Sequence, residues 1–159
     1  MKRYMGIDNG VTGTISVLDE DGKVVWWSKT PIRSCSHYSK SGRIMNRINR
    51  QELTEIINNT RPDMVILEFP RIDPDPKKIL TTVSASMSLE ATWSVFEDTG
   101  VPHQFISAIT WQKVMIGAAA DTKKASKDVT KRLHPKLTLP PGADGDAVLI
   151  CEYARRMNL

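Results

Sequence analysis

Cysteine is almost missing from this chain: among 159 residues only Cys35 and Cys151 occur, with no CxxC and no Cys/His spacing. That excludes a disulfide framework and a thiolate zinc site, and both residues are expected to be ordinary thiols. Long apolar runs are missing as well. No stretch reaches the roughly 18 apolar residues of a membrane span, and no signal-like segment opens the sequence, so a cytosolic protein with no membrane partner is expected. There is no Gly/Ser/Pro linker, internal repeat or low-complexity tract. A single domain over residues 1–159 with one sizeable core is therefore expected. Apolar content of 40% and charged content of 25% exclude a globally disordered chain.

Negative charge is locally absent. From Pro31 to Arg50 there is no acidic residue, whereas Arg33, Lys40, Arg43, Arg47 and Arg50 are all basic. A second basic cluster holds Lys123, Lys124, Lys127, Lys131, Arg132 and Lys136, diluted by Asp121 and Asp128. The formal net charge is only +4, so it is the distribution that points to a polyanionic partner.

Asn-Gly and Asp-Gly turn signals divide the first thirty residues into three antiparallel strands, Arg3–Asn9, Thr14–Leu18 and Lys23–Ser28. A polar loop is expected from Pro31 to about Met45, then an amphipathic helix over Arg50–Asn59 with Leu53, Ile56 and Ile57 on one side. Asp63–Glu68 reads as a short apolar strand stopped by Phe69-Pro70. Ile79–Asp98 reads as a helix closed by Gly100, and His103–Ser107 as a fifth strand. A short helix in TWQKVM, a basic helix ended by Pro135 and a last helix from Asp144 to about Met157 complete the reading. The order, written β-β-β-α-β-α-β-α-α, implies an α/β fold with a mixed five-stranded sheet flanked by helices.

Within that pattern, four carboxylates stand out. Alternation puts Met5 and Ile7 on one strand face and Tyr4, Gly6 and Asp8 on the other, so Asp8 points where packing favours an apolar group. Glu68 ends the next apolar strand. In the last helix Leu149, Ile150, Tyr153 and Met157 fall at i+3, i+4, i+7 and i+11 from Asp146, which places Asp146 on the core-facing stripe. Each has a structural alternative: Asp144 as a helix N-cap, Asp146 at the helix amino end, Glu68 bonded to backbone, and Asp8 ordering the Gly10–Gly13 turn. Parallel neighbouring strands would bring Asp8 and Glu68 together at the carboxyl edge of the sheet, with the last helix docked there. Such clustered carboxylates are sensible chiefly around hard divalent cations, Mg²⁺ or Mn²⁺, and a pair of ions about 4 Å apart suits phosphodiester hydrolysis.

The segments GIDNGVTGTISVLD, VILEFP, TWQKVM, DTKKASKDVTKRLHP and DGDAVLICEYARR together resemble the RuvC-type Holliday junction resolvases of the RNase H-like superfamily, especially the small bacteriophage forms. The likeness covers nearly the whole chain. It implies a homodimeric endonuclease dependent on Mg²⁺, with Mn²⁺ as substitute, that nicks two strands of branched DNA symmetrically and leaves 5′-phosphate and 3′-hydroxyl ends. For a phage-encoded protein the location is the bacterial host's cytoplasm. By this resemblance Asp8, Glu68, Asp144 and Asp146 hold the metal, and Lys124 joins them as a catalytic residue. Arg43, Arg47, Lys113, Lys123, Lys124 and Lys127 are the expected DNA contacts. The spacing of Asp144 and Asp146 is one residue tighter than in bacterial RuvC. Phe69 is the nearest aromatic to the junction-inserting position of the family, although it adjoins Glu68 directly. The helix of Ile79–Asp98 corresponds to the dimerising helix, with Ser84, Met87, Ser88 and Ala91 as its candidate seam.

Other functions remain open on sequence. GIDNGVTGTISVLD also resembles the phosphate hairpin of actin-like and sugar-kinase ATPases, but no second hairpin or Gly-rich adenosine segment follows. A non-catalytic DNA-binding module is disfavoured by carboxylates that would face phosphates. A flap, fork or hybrid nuclease of the same fold is the nearer alternative.

Overall fold

The computed structural model describes residues 1–37, 41–73 and 75–159; the basic Lys40 lies outside them. Strands β1 (Arg3–Ile7), β2 (Thr14–Asp19) and β3 (Val24–Lys29) form the antiparallel meander, joined at its second turn by Gly22. Strand β6 (Met64–Phe69) lies parallel to β1, and β7 (His103–Ser107) lies parallel to β6. The main sheet thus has the order β3-β2-β1-β6-β7, the mixed five-stranded sheet with flanking helices expected from the sequence.

Two features of the expected layout need correction. The stretch after β3 is not a loop: Ile32–Ser36 (β4) and Ile44–Ile48 (β5) pair antiparallel as a separate two-stranded sheet. Further, the order β-β-β-α-β-α-β-α-α is one helix short after β7, where the three expected helices are all present: α3 (Ala108–Met115), α4 (Thr122–Leu133) and α5 (Asp146–Met157). Before β7 come α1 (Arg50–Thr60) and, after a short 3₁₀ turn at Pro76–Lys78, α2 (Ile79–Thr99). Among the described residues no helix is long and apolar enough to cross a membrane.

Strand alternation sorts the core into two layers. Met5, Ile7, Ile15, Val17, Val65 and Leu67 pack against Leu53, Ile56 and Ile57 of α1 and Val95 and Phe96 of α2. On the opposite face Tyr4, Ile66 and Ile106 meet Trp111, Leu149 and Ile150 of α3 and α5. Helix α5 runs directly over β1 because residue 6 is glycine. A Cβ there would collide with the Ala147 carbonyl and come within 2.8 Å of the Cys151 amide nitrogen. The Cys151 thiol donates to the Ser16 carbonyl at 3.0 Å, and burial pushes its pKa up.

Of the candidate seam residues in α2, Ser84, Met87 and Ala91 are half-buried and Ser88 is buried within the chain. Ser88 and Thr92 are buried toward the sheet, and the Ser88 hydroxyl donates to the Ser84 carbonyl at 3.0 Å. The exposed stripe is instead Leu80 and Val83, with half-buried Met87 one turn on.

Candidate functional site

The sheet positions the first two carboxylates. Ile7 pairs with Leu67 in the β1–β6 register, so the residues that follow, Asp8 and Glu68, stand side by side at the carboxyl edge. Both continue the alternation onto the α5 face, adjacent strands being about 4.8 Å apart. Asp8 lies one residue beyond β1 and is held by its amide, which donates to the Thr14 carbonyl at 3.0 Å.

Asp144 and Asp146 arrive from the other side, on the turn into α5. Gly145 between them is the N-cap, with φ of 92°, a left-handed conformation that a side chain resists. A Cβ at that position would also lie 2.9 Å from Thr130 Cβ. The expectation that Asp144 begins the helix is therefore corrected: it precedes the cap, and its Oδ1 accepts from the Asp146 amide at 3.2 Å. The result is that Asp8, Asp144 and Asp146 offer carboxylate oxygens within 4.8 Å of one another. Glu68 stands beside this trio but outside that distance.

Two neutral donors fix the outer carboxylates. The buried Trp111 indole N–H donates to Glu68 Oε2 at 2.6 Å, and the buried Ser126 hydroxyl donates to Asp146 Oδ1. Neither was singled out in the sequence, since a bond from α3 to β6 or from α4 to α5 leaves no local periodic signal. No side-chain hydrogen bond reaches the Asp8 carboxylate among the described residues, and burial plus the charges of Glu68, Asp146 and Asp144 push it up to about 8. Burial likewise raises Glu68 to about 7 against the Trp111 hydrogen bond, with Asp146 and Asp144 adding to the rise. Asp146 is raised to about 6, chiefly by burial, while Ser126 and Lys123 oppose.

Of the expected basic residues, Lys123 lies nearest in effect, its charge lowering both Asp8 and Asp146. It shares the α4 stripe of Ser126, Lys127 and Thr130 that turns toward α5. Lys124 is exposed, its amide capped by Asp121 at 3.0 Å, and its charge is not among those acting on the carboxylates. Lys113 is exposed on α3, Arg43 is exposed just before β5, and Arg47 is half-buried on that strand. Phe69 ends β6 with its ring edge-on to Phe105, centroids 6.3 Å apart, and Trp93 packs on Phe105 at 5.1 Å.

This mixed sheet with its flanking helices recurs in solved structures. A Thermus thermophilus RuvC bound to a Holliday junction substrate superposes with a TM-score of 0.65 at 14% identity, covering 99% of this chain and 96% of that one. The chain has the RuvC-type resolvase fold. The yeast mitochondrial Holliday junction resolvase gives a TM-score of 0.56 at 12% identity over 98% of this chain and 79% of its own. A fowlpox virus resolvase bound to Holliday junction DNA gives 0.52 at 13% identity, covering 97% and 99%. No protein-family model and no curated protein matches the sequence.

Proposed function

We propose that this protein is a metal-dependent, structure-selective endodeoxyribonuclease that resolves four-way (Holliday) junctions by paired symmetric nicks, leaving 5′-phosphate and 3′-hydroxyl ends. The observation that carries this reading is the convergence of Asp8, Asp144 and Asp146, with Glu68 beside them, at the carboxyl edge of a RuvC-type sheet. The donor set fits a hard divalent cation, since it offers only carboxylate oxygens and leaves the half-buried Asp8 carboxylate without a side-chain donor among the described residues. Mg²⁺, replaceable by Mn²⁺ and in a pair, would supply activation of water and stabilisation of the leaving oxygen when bound.

The chain's own residues do the rest. Asp8, Glu68, Asp144 and Asp146 are the ligands; Trp111 and Ser126 hold Glu68 and Asp146 in orientation by donating to the oxygen that faces them. Lys123 offsets the negative charge that a phosphate would otherwise meet. Lys113, Lys124, Lys127, Arg43 and Arg47 contact the DNA backbone, and Lys124 is the lysine that serves the scissile phosphate. Phe69, partly exposed next to Glu68, is the aromatic nearest the branch point. A four-way junction has two scissile strands related by two-fold symmetry, and the described residues supply one carboxylate cluster, so the working unit is a C₂ homodimer.

The test is cleavage of labelled four-way junction, fork, flap, RNA–DNA hybrid and linear duplex, each with and without Mg²⁺. Paired nicks at symmetric positions in the four-way junction alone, only with Mg²⁺, are expected. Cleavage confined to flaps, forks or hybrids would reassign the substrate, and no cleavage of any substrate would refute the nuclease reading.

A further inference from the structure

Two carboxylates at the sheet edge are held by a buried neutral donor from a neighbouring element, Glu68 by Trp111 and Asp146 by Ser126. Asp8 has no such side-chain donor among the described residues. The converse vacancy lies beside it. Thr14 is only 6% exposed, and its hydroxyl oxygen is shut away from solvent with no hydrogen-bond partner among the described residues. A buried hydroxyl without a partner has given up water and gained nothing in return, so it calls for a reason. Valine has the same shape and suits a strand as well, without that cost.

Strand register brings the two vacancies together. Ile7 pairs with Ile15, and the Asp8 amide donates to the Thr14 carbonyl at 3.0 Å, which extends the β1–β2 ladder by one pair. Asp8 and Thr14 are therefore direct cross-strand neighbours, a relation that sets Cβ atoms about 5 Å apart. Ile7 and Ile15 both enter the layer of α1 and α2, so alternation turns Asp8 and Thr14 to the α5 face, where Asp144 and Asp146 arrive. The backbone is tightly closed there: a Cβ on Gly13 would overlap the Asp8 carbonyl, and the Gly13 carbonyl accepts from the Thr30 amide at 3.0 Å. Asn9 Oδ1, also buried and unpartnered beside Asp8, is on the other face, where the Asn9 side-chain amide donates to the Ala85 carbonyl of α2 at 3.1 Å.

We propose that Thr14 is the positioning residue for Asp8: when the site holds its cation, the Thr14 hydroxyl donates to the Asp8 carboxylate oxygen turned away from the metal, as Trp111 and Ser126 do for Glu68 and Asp146. The cation rests on the proposed function; the register and the paired vacancies do not. A carboxylate with one oxygen fixed by a donor presents the other to the metal in a single pose, which is how such outer groups raise affinity. The hydroxyl reaches its acceptor by side-chain rotation alone, since the ladder already sets the two residues opposite each other. Thr14 acts through Asp8 and touches no reacting atom.

The test compares wild type with Thr14→Val, which keeps the shape and deletes the hydroxyl, and with Thr14→Ser, which keeps the hydroxyl and deletes the methyl. Mg²⁺ affinity is measured by calorimetric titration without DNA, and the metal-free melting temperature alongside it. Thr14→Val is expected to lose roughly 10- to 100-fold in Mg²⁺ affinity. Its metal-free melting temperature should be no lower than that of wild type, because an unpartnered buried hydroxyl has been exchanged for a methyl group. Thr14→Ser should bind Mg²⁺ as wild type does, even if it melts lower. In crystals of the Mg²⁺-loaded wild type, Thr14 Oγ1 should lie about 2.7 Å from an Asp8 carboxylate oxygen. Wild-type affinity in Thr14→Val, with wild type itself binding Mg²⁺, overturns the role of Thr14 and leaves the metal site standing. Equal losses in both variants, or a loss in Thr14→Val accompanied by a lower metal-free melting temperature, also overturn it, because packing would be the cause. A wild-type protein that binds no Mg²⁺ overturns both readings.

Discussion

At Asp8, Glu68 and Asp146 the folded chain holds protons more tightly than the unfolded one, burial being the first cause in each case and neighbouring carboxylates adding to it. Raised folded pKa values mean that the native state binds more protons, so stability is full below the ordinary carboxyl range and declines as pH rises. The window runs from about pH 4 up to the value of about 8 at Asp8. Metal-free protein should therefore melt at progressively lower temperature from pH 5 to pH 8, and Mg²⁺ should restore more at pH 8 than at pH 5; a scanning-fluorimetry grid of pH against Mg²⁺ reads both. Asp8→Asn removes the buried charge without changing shape. It should raise the metal-free melting temperature at pH 8 while abolishing Mg²⁺-dependent nicking and sparing junction binding, and Glu68→Gln should likewise lose nicking with folding and binding intact. Normal nicking by either variant in a gel assay would remove that residue from the site. Trp111→Phe deletes the donor to Glu68 Oε2. A roughly 10- to 100-fold loss of Mg²⁺ affinity by calorimetric titration is expected, the usual cost of losing a group that orients a ligand.

Helix α5 is the element on which the site depends, because it carries Asp146 and brings Asp144 over β1 through the contact at Gly6. Gly6→Ala would push it outward. A loss of about 1–3 kcal/mol is expected from such overpacking, measured by urea denaturation, together with weaker Mg²⁺ binding as the two halves of the trio part. The far end of α5 is fixed by Glu152, almost fully buried, which accepts from Arg155 at 2.7 Å and Arg156 at 2.9 Å. The elements of the main sheet were legible because each strand is apolar and bounded by turn residues, and the carboxylates were legible because they interrupt that pattern. The β4–β5 hairpin was not. Neither of its faces is buried against the core along its length, so Ile32, Arg33, Ser34, Cys35 and Ser36 show no period-two apolar signal; their pairing rests on ladder hydrogen bonds and on the Ser34 hydroxyl, which donates to Asn46 Oδ1 at 3.2 Å. Nor could sequence tell which side of α2 meets the sheet, since small and large apolar residues occur all round it; Ser88 proved to face inward and Leu80 and Val83 outward. Met157, placed on the inward stripe of α5 by its spacing, is exposed because the helix outruns the core there.

For the whole molecule the proposed two-fold assembly makes the sharpest demand. The exposed stripe of Leu80 and Val83 with Met87 is the apolar surface of α2 available to a second copy. Leu80→Asp combined with Val83→Asp should convert a dimer to a monomer in sedimentation, and paired nicks to single ones, without lowering the melting temperature of the isolated chain. A wild-type monomer that makes paired nicks on one junction would end the dimer proposal. The order of parts along the chain has its own consequence. Asp8 belongs to the first strand and Asp144 and Asp146 to the last helix, so the trio joins residues separated by nearly the full length described. During synthesis the sheet's strands all leave the ribosome before α5 does, and until α5 closes over Gly6 the acidic edge holds only Asp8 and Glu68. A partly made chain is thus without the carboxylate trio, and a chain truncated before residue 144 should show no Mg²⁺-dependent nicking however well its basic surfaces bind DNA.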